Sequence, residues 1–288
     1  MATLKDIKLR MGSIENTMQI TKAMKMVAAS KMRKAEENVA RSRPYAEKLK
    51  SIVSNLSNGL DSSAHPLLEQ RDGGKAVVLL ITTDRGLCGG LNVNLCKQLD
   101  KFLPNQSNNF EISELITFGK KGNEFFLNRG GNISESFRDL KEAEIAVALN
   151  KTVQDLIRQY ENGEFNHLFL AYNTFKNVVS QVPTIKQVLP IEPPEKKEAN
   201  SDENLEFIFE PSGKGILNAI LPQYIENQAF TALLNNFASE HAARMTAMDS
   251  ATNNAKDMLS ALKIKYNRAR QAAITSELIE IISGAEAI

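Results

Sequence analysis

From Met245 to Ala273 the chain sets Met245, Met248, Thr252, Ala255, Leu259, Leu262, Tyr266, Ala269 and Ala273 at alternating steps of three and four residues. A repeat of 3.5 sustained for four heptads leaves little choice of fold. The stripe stays on one face only if the helix supercoils, left-handed, around another helix. Residues 216–283 contain no glycine and a single proline, Pro222, so helix is predicted throughout. Ile274, Leu278 and Ile281 continue the apolar stripe on a shifted register.

The partner helix is in the same chain. Leu4, Ile7, Met11, Ile14 and Met18 repeat the 3-4 spacing. A shifted seam is then read at Met24, Ala28, Met32, Ala35 and Val39, followed by Tyr45, Leu49, Ile52 and Leu56. Pro44 is expected to kink this helix without ending it. Helices leaving one domain from opposite chain ends pair antiparallel. At ~1.5 Å per residue, a helix of about 65–70 residues runs ~100 Å, against ~30 Å for a small domain. A rod projecting from a globular part is therefore expected, with the end of the longer C-terminal helix standing alone or meeting another protein. Met, Ala and Thr on the seam predict a narrow, close-packed and moderately stable pair.

The middle reads as α/β. The run Ala76–Ile81 is an apolar, strand-sized segment after two glycines, as a strand buried on both faces requires. Helix is predicted over Leu91–Leu103, Lys120–Asn128 and Glu142–Tyr160. Strand is predicted over Ser113–Phe118, His167–Tyr172, Val178–Val188 and Glu206–Phe209. Alternation of this kind favours a mainly parallel sheet. The fold class is thus α/β plus long α: an antiparallel two-helix coiled coil of the chain ends and a central Rossmann-like α/β domain. The expected divisions are residues 1–60, 61–211 and 212–288. Within the middle, residues 190–204 (Pro-rich, then EKKEANSDEN) are expected to form a mobile loop.

Charge and composition narrow the function. The net charge is only +1, yet residues 1–50 hold 12 Lys/Arg against 5 Asp/Glu, an excess of 12 − 5 = +7. That asymmetry points to an acidic partner for the N-terminal segment. Nucleic acid, anionic lipid and acidic protein loops all qualify. Tyr45 is the segment's only aromatic, so it lacks the interleaved rings of a nucleic-acid stacking surface. No apolar run approaches the ~18 residues of a membrane span, and the charged N-terminus is unlike a secretory signal. Two cysteines without C-x-x-C spacing and three scattered histidines give no metal-ligand set and no disulfide framework.

Thr83-Asp-Arg-Gly-Leu-Cys-Gly-Gly90 follows a strand and opens a helix, where α/β folds bind phosphate. It has no Lys followed by Ser or Thr and no G-x-G-x-x-G. Glycines serving a tight turn and close helix–strand packing are the expected reading. Neither G-x-S-x-G nor H-E-x-x-H occurs. No catalytic residue and no cofactor are assigned. A Rossmann-like nucleotide enzyme with helical arms, and a basic coiled-coil nucleic-acid binder, stand as the alternatives.

Three segments together resemble one family. They are Ile14–Arg33 (IENTMQITKAMKMVAASKMR), Thr83–Asn92 (TDRGLCGGLN) and Ser239–Ala287, whose end carries I-T-x-E-x-x-E-x-x-x-G-A on Ile274, Thr275, Glu277, Glu280, Gly284 and Ala285. In this order, around an α/β middle, they resemble the gamma subunit of F-type ATP synthases. The resemblance implies a non-catalytic central-stalk rotor. Its terminal helices would form an axle inside a ring of three alpha and three beta subunits. Its middle would meet epsilon and the membrane ring of c subunits, one copy per complex, peripheral at the cytoplasmic face of a bacterial inner membrane. The resemblance places Lys22, Met24, Lys25 and Arg33 against acidic loops of beta. Arg244, Arg268, Gln271, Thr275 and Glu277 match the family's catch-and-bearing region, and the tail Gly284–Ile288 an apical bearing. Chloroplast relatives carry an inserted dithiol segment. Cys88 and Cys96 lie elsewhere, so no thiol switch is expected.

Overall fold

The computed structural model describes residues 3–59, 65–71, 73–103, 111–191 and 213–286. These divide into two compact units. One joins Met1–Ser30 to Arg244–Ile288, and the other is Lys31–Ala243.

Helix α1 spans Leu4–Gly59 with Pro44 inside it. Its first turn is closed by a reciprocal pair: the Thr3 amide donates to the Asp6 carboxylate at 3.0 Å, and the Asp6 amide donates to Thr3 Oγ1 at 3.2 Å. Helix α5 spans Gly213–Glu286. Between them lie β1 (Lys75–Ile81), α2 (Leu91–Phe102), β2 (Glu111–Phe118), α3 (Lys120–Leu127), β3 (Ile133–Phe137), α4 (Glu142–Glu161), β4 (His167–Phe175) and β5 (Gln181–Leu189).

The strands form one sheet in the order β3-β2-β1-β4-β5. The first four are parallel and β5 is antiparallel to β4. The chain winds outward from β1 to β3 and then crosses to β4, so the winding reverses between β1 and β4. That is the switch point of a doubly wound fold.

Strand β1 is buried on both faces because the sheet is covered on both. Val77, Leu79 and Ile81 share a core with Leu49 and Val53 of α1, with α4, and with Leu217, Leu221, Ile225 and Leu233 of α5. Ala76, Val78 and Leu80 pack with Leu95 and Leu99 of α2, Phe126 of α3 and Phe169 of β4. Each fully buried Leu or Val contributes about 1.5–3 kcal/mol against its exposed state. A strand buried on both faces carries no polar alternation, which is why β1 was so legible.

Two expectations need correction. Strand β3 was not foreseen, since its residues ISESF carry too little apolar alternation. The strand expected from Val178 begins instead at Gln181. The Asn177 side chain accepts from the amides of Val179 (3.0 Å) and Ser180 (2.7 Å), folding residues 177–180 into a turn. The expected strand Glu206–Phe209 and residues 192–204 of the expected loop lie outside the described residues.

Candidate functional site

The seam of α1 is continuous, not shifted. Among the less exposed positions one run passes through Leu4, Ile7, Met11, Ile14, Met18, Thr21, Lys25, Ala28, Met32, Ala35, Val39, Ser42, Ala46, Leu49 and Val53 in steps of three and four without a break, with Met24, Ala29 and Ser54 half-buried beside it. The expected shift at Met24 arose from skipping two polar seam residues, Thr21 and Lys25. It also carried the stripe onto Tyr45 and Ile52, which are exposed. Ala46 and Val53 hold those places.

In the unit formed by the chain ends, two polar contacts set the pairing. Lys25 Nζ donates to Asp249 Oδ1 at 2.7 Å. The hydroxyls of Thr21 and Thr252 are 2.8 Å apart. Residue numbers rise on α1 as they fall on α5, so the helices are antiparallel. Carrying this register along the 3.5 repeat sets Met18 level with Ala255, Ile14 with Leu259, Met11 with Leu262, Ile7 with Tyr266 and Leu4 with Ala269. Small buried residues, Ala28 and Ala255 among them, allow the close approach expected of a narrow seam.

Beyond Ala273 no described residue of α1 is left to pair, since that helix begins at Leu4, level with Ala269. Ile274, Leu278, Ile279, Ile281 and Ile282 all lie open to solvent, Ile281 at 67%. Among the described residues the predicted shifted register meets no partner helix.

The candidate residues fall into separate groups. On α1, Lys22 is exposed, Met24 half-buried and Lys25 half-buried, and Lys25 is held by Asp249. Arg244 is half-buried on α5. Arg268, Gln271, Thr275 and Glu277 are exposed, and the Thr275 hydroxyl donates to the Gln271 carbonyl at 2.9 Å. At ~1.5 Å per residue, Thr275 is about 46 Å along the helix axis from Arg244, so these are two sites on one shaft. Arg33 belongs to the other compact unit. Sequence reasoning missed Asp249, Thr21 and the seam role of Lys25. An unbroken 3-4 count from Leu4 would have found the two on α1.

The glycine-rich loop and the residue before it cap the neighbouring helix α3. The Asp84 carboxylate accepts the Lys120 amide at 2.8 Å, and Thr82 Oγ1 accepts the Gly122 amide at 2.9 Å. Both amides belong to the first turn of α3, so the anion-binding end of that helix already holds a carboxylate. Asn92 braces the loop, accepting from the Thr83 amide (3.2 Å) and donating to Thr83 Oγ1 (2.7 Å). Gly89 takes φ +59° in the tight turn. Cys88 and Leu91 pack on Ala243 of α5. These contacts give the motif a packing role.

Among the described residues no group of three His, Cys, Asp or Glu is placed to hold a metal ion. No described helix is long and apolar enough to cross a membrane.

A family model described as ATP synthase matches residues 3–288. The ATP synthase gamma chain of Trichlorobacter lovleyi is 48% identical over 289 residues, covering 100% of this chain and 99% of the relative. That of Geotalea daltonii is 48% identical over 291 residues, with 100% and 99% covered.

The chain belongs to the ATP synthase gamma-chain family.

Membership makes it a subunit of an assembled enzyme and not itself the catalyst. The fold agrees with a chain from the Euglena gracilis mitochondrial ATP synthase, OSCP/F1/c-ring, rotational state 3. The TM-score is 0.67 at 21% identity, over 99% of this chain and 94% of that one. A chain from the Tetrahymena thermophila mitochondrial ATP synthase central stalk and c-ring gives a TM-score of 0.57 at 24% identity, over 81% and 99%.

Proposed function

We propose that this chain is the central-stalk rotor of a proton-translocating F-type ATP synthase. It transmits rotation of the membrane c-ring to catalytic beta sites during ATP synthesis and hydrolysis. One observation carries the reading. Two far-separated ends of one chain wind antiparallel along a heptad seam, held by Thr21–Thr252 and Lys25–Asp249, and among the described residues one helix continues unpartnered past Ala273. A paired shaft with a single-helix tip suits an axle seated in a ring.

In this reading the shaft turns inside three alpha and three beta subunits, one copy per complex. Residues 61–211 form the foot against epsilon and the c-ring. Residues 1–60 and 212–288 supply the axle. Membrane contact is indirect, and the complex lies at the cytoplasmic face of a bacterial inner membrane. Moving a beta site from 1:99 to 99:1 between two states takes ~5.5 kcal/mol of differential interaction. Contacts that change with angle must supply it. Lys22, Met24, Lys25 and Arg33 are the residues assigned to acidic beta loops. Arg244, Arg268, Gln271, Thr275 and Glu277 serve the catch-and-bearing region, with the tail 284–288 as the apical bearing.

The test is purification through a tag on this chain. The expected result is a complex containing a 3:3 ring of larger nucleotide-binding subunits, with ATPase activity absent from the isolated chain. ATP hydrolysis by the chain alone would overturn the reading.

A further inference from the structure

Helix α5 lies where a doubly wound sheet opens its ligand crevice, beside the carboxyl end of β4. Its contacts there are polar although every side chain involved in the innermost pair is buried. Asn173 of β4, and Asn236 and Ser239 of α5, are each 0% exposed. Asn173 Nδ2 donates to Asn236 Oδ1 at 3.2 Å, and Ser239 Oγ donates to the Asn173 carbonyl at 3.1 Å. One residue away, the Phe175 amide donates to Asn235 Oδ1 at 3.3 Å, and that side chain is itself tied to the Thr231 carbonyl at 2.8 Å.

The sheet leaves the Asn173 carbonyl available for this purpose. Strand β1 pairs with β4 only as far as Ala171. The Asn173 carbonyl and the Phe175 amide both point away from β5, to the side that β1 has already left. Ser239 supplies the missing donor. The arrangement is not optimised for stability: Asn173 Oδ1 and Asn236 Nδ2 are buried with no hydrogen-bond partner among the described residues. A leucine pair of similar volume would avoid that cost. What the amides offer instead is direction. Apolar neighbours such as Leu217, Leu221, Ile225 and Leu233 hold the helix against the sheet but resist small rotations about its axis weakly. Hydrogen bonds weaken steeply with angle. Residues 235, 236 and 239 share one arc of the helix, at ~100° per residue, so all three bonds oppose the same rotation.

We infer that Asn173, Asn235, Asn236 and Ser239 form a torsional clasp, which fixes α5 in rotation against the sheet and passes torque from the α/β domain into the C-terminal helix. The inference rests on the rotor reading above, and its residues are positioning residues that touch no reactant.

The experiment uses the assembled, surface-fixed complex with a bead attached to the α/β domain. The angular spread of the bead is recorded during pauses awaiting ATP. Asn236→Leu combined with Ser239→Ala removes two of the three directional contacts. Angular variance scales inversely with torsional stiffness, and two of three angle-sensitive contacts are gone, so it is expected to widen by at most about threefold, with the ATP hydrolysis rate retained. Wild-type variance in this double variant overturns the clasp. Should the double variant fail to assemble, Ser239→Ala alone is read, and it must widen the distribution in the same direction or the clasp is wrong. A bead that does not turn even in the unaltered complex would sink the rotor reading instead.

Discussion

Lys25 Nζ is 2.7 Å from Asp249 Oδ1, an ion pair laid across a seam that is otherwise uncharged. A charged residue at such a position costs stability compared with an apolar one and specifies register in return. The next rung, Thr21–Thr252, repeats the device with hydroxyls 2.8 Å apart. Together they give a uniform, small-residue stripe one preferred alignment out of several that heptad slips would permit.

The side chains of this pair are 42% and 47% exposed, so solvent screens it. Its coupling is expected at about 0.2–1 kcal/mol in a double-mutant cycle. Lys25→Asp should lower the urea midpoint of the purified chain by setting two carboxylates together. Adding Asp249→Lys should restore it. A coupling indistinguishable from zero would remove the pair as a register contact.

Met24→Lys places a further cation beside Lys25 on the half-buried edge of the seam. Folding should change little, because the long stem can reach solvent. ATP synthesis by the assembled complex is expected to fall further than ATP hydrolysis. Unchanged synthesis would end the case for this position.

Truncation after Ala273 removes a segment that, among its described residues, packs against nothing in this chain. The thermal midpoint of the isolated chain should therefore shift by no more than a surface change does, about 0.5 kcal/mol. Assembly or stall torque of the complex should weaken. A truncated chain that melts markedly lower would show that the tail packs on its own chain.

Gly119 sits at φ +99°, and a Cβ there would press on the Thr82 backbone carbonyl. Gly119→Ala is expected to destabilise the chain by about 2 kcal/mol or more, measured by chemical denaturation. A loss within error would mean that β2 and α3 can rejoin through another backbone path.

Burial pushes the Cys96 thiol up to about 12, with Asp100 adding to the rise and Arg129 opposing it. In the unfolded chain the thiol ionises near its ordinary 9.0. The stability this group protects is complete below pH 9 and is lost as pH climbs towards 12. At pH 8 a thiol reagent should modify Cys96 only after denaturant is added. Rapid modification of the native chain would contradict the buried placement.

Much of the fold was legible in advance. The apolar run of β1, the glycine-free stretches 13–43 and 216–283 and the 3-4 repeat of α5 each express a single strong constraint, and each became the element expected. The errors share a cause. Thr21 and Lys25 were passed over because a seam was sought only among apolar residues, and this displaced the stripe onto Tyr45 and Ile52. Strand β3 escaped because its serines and glutamate carry no periodic apolar signal. Of the candidate contacts, Lys25 proved to have a partner inside the chain, which no local pattern could reveal: Asp249 is 224 residues away.

By itself the amino-acid order determined that both chain ends are helical, that they carry matching stripes and that an α/β sheet lies between them, because periodicity and backbone propensity are local properties. Only the tertiary structure decided which residues oppose one another. Register depends on pairing polar groups such as Lys25 with Asp249 and Ser239 with the Asn173 carbonyl. Those partners meet only once strands and helices distant in sequence have been brought to hydrogen-bonding range.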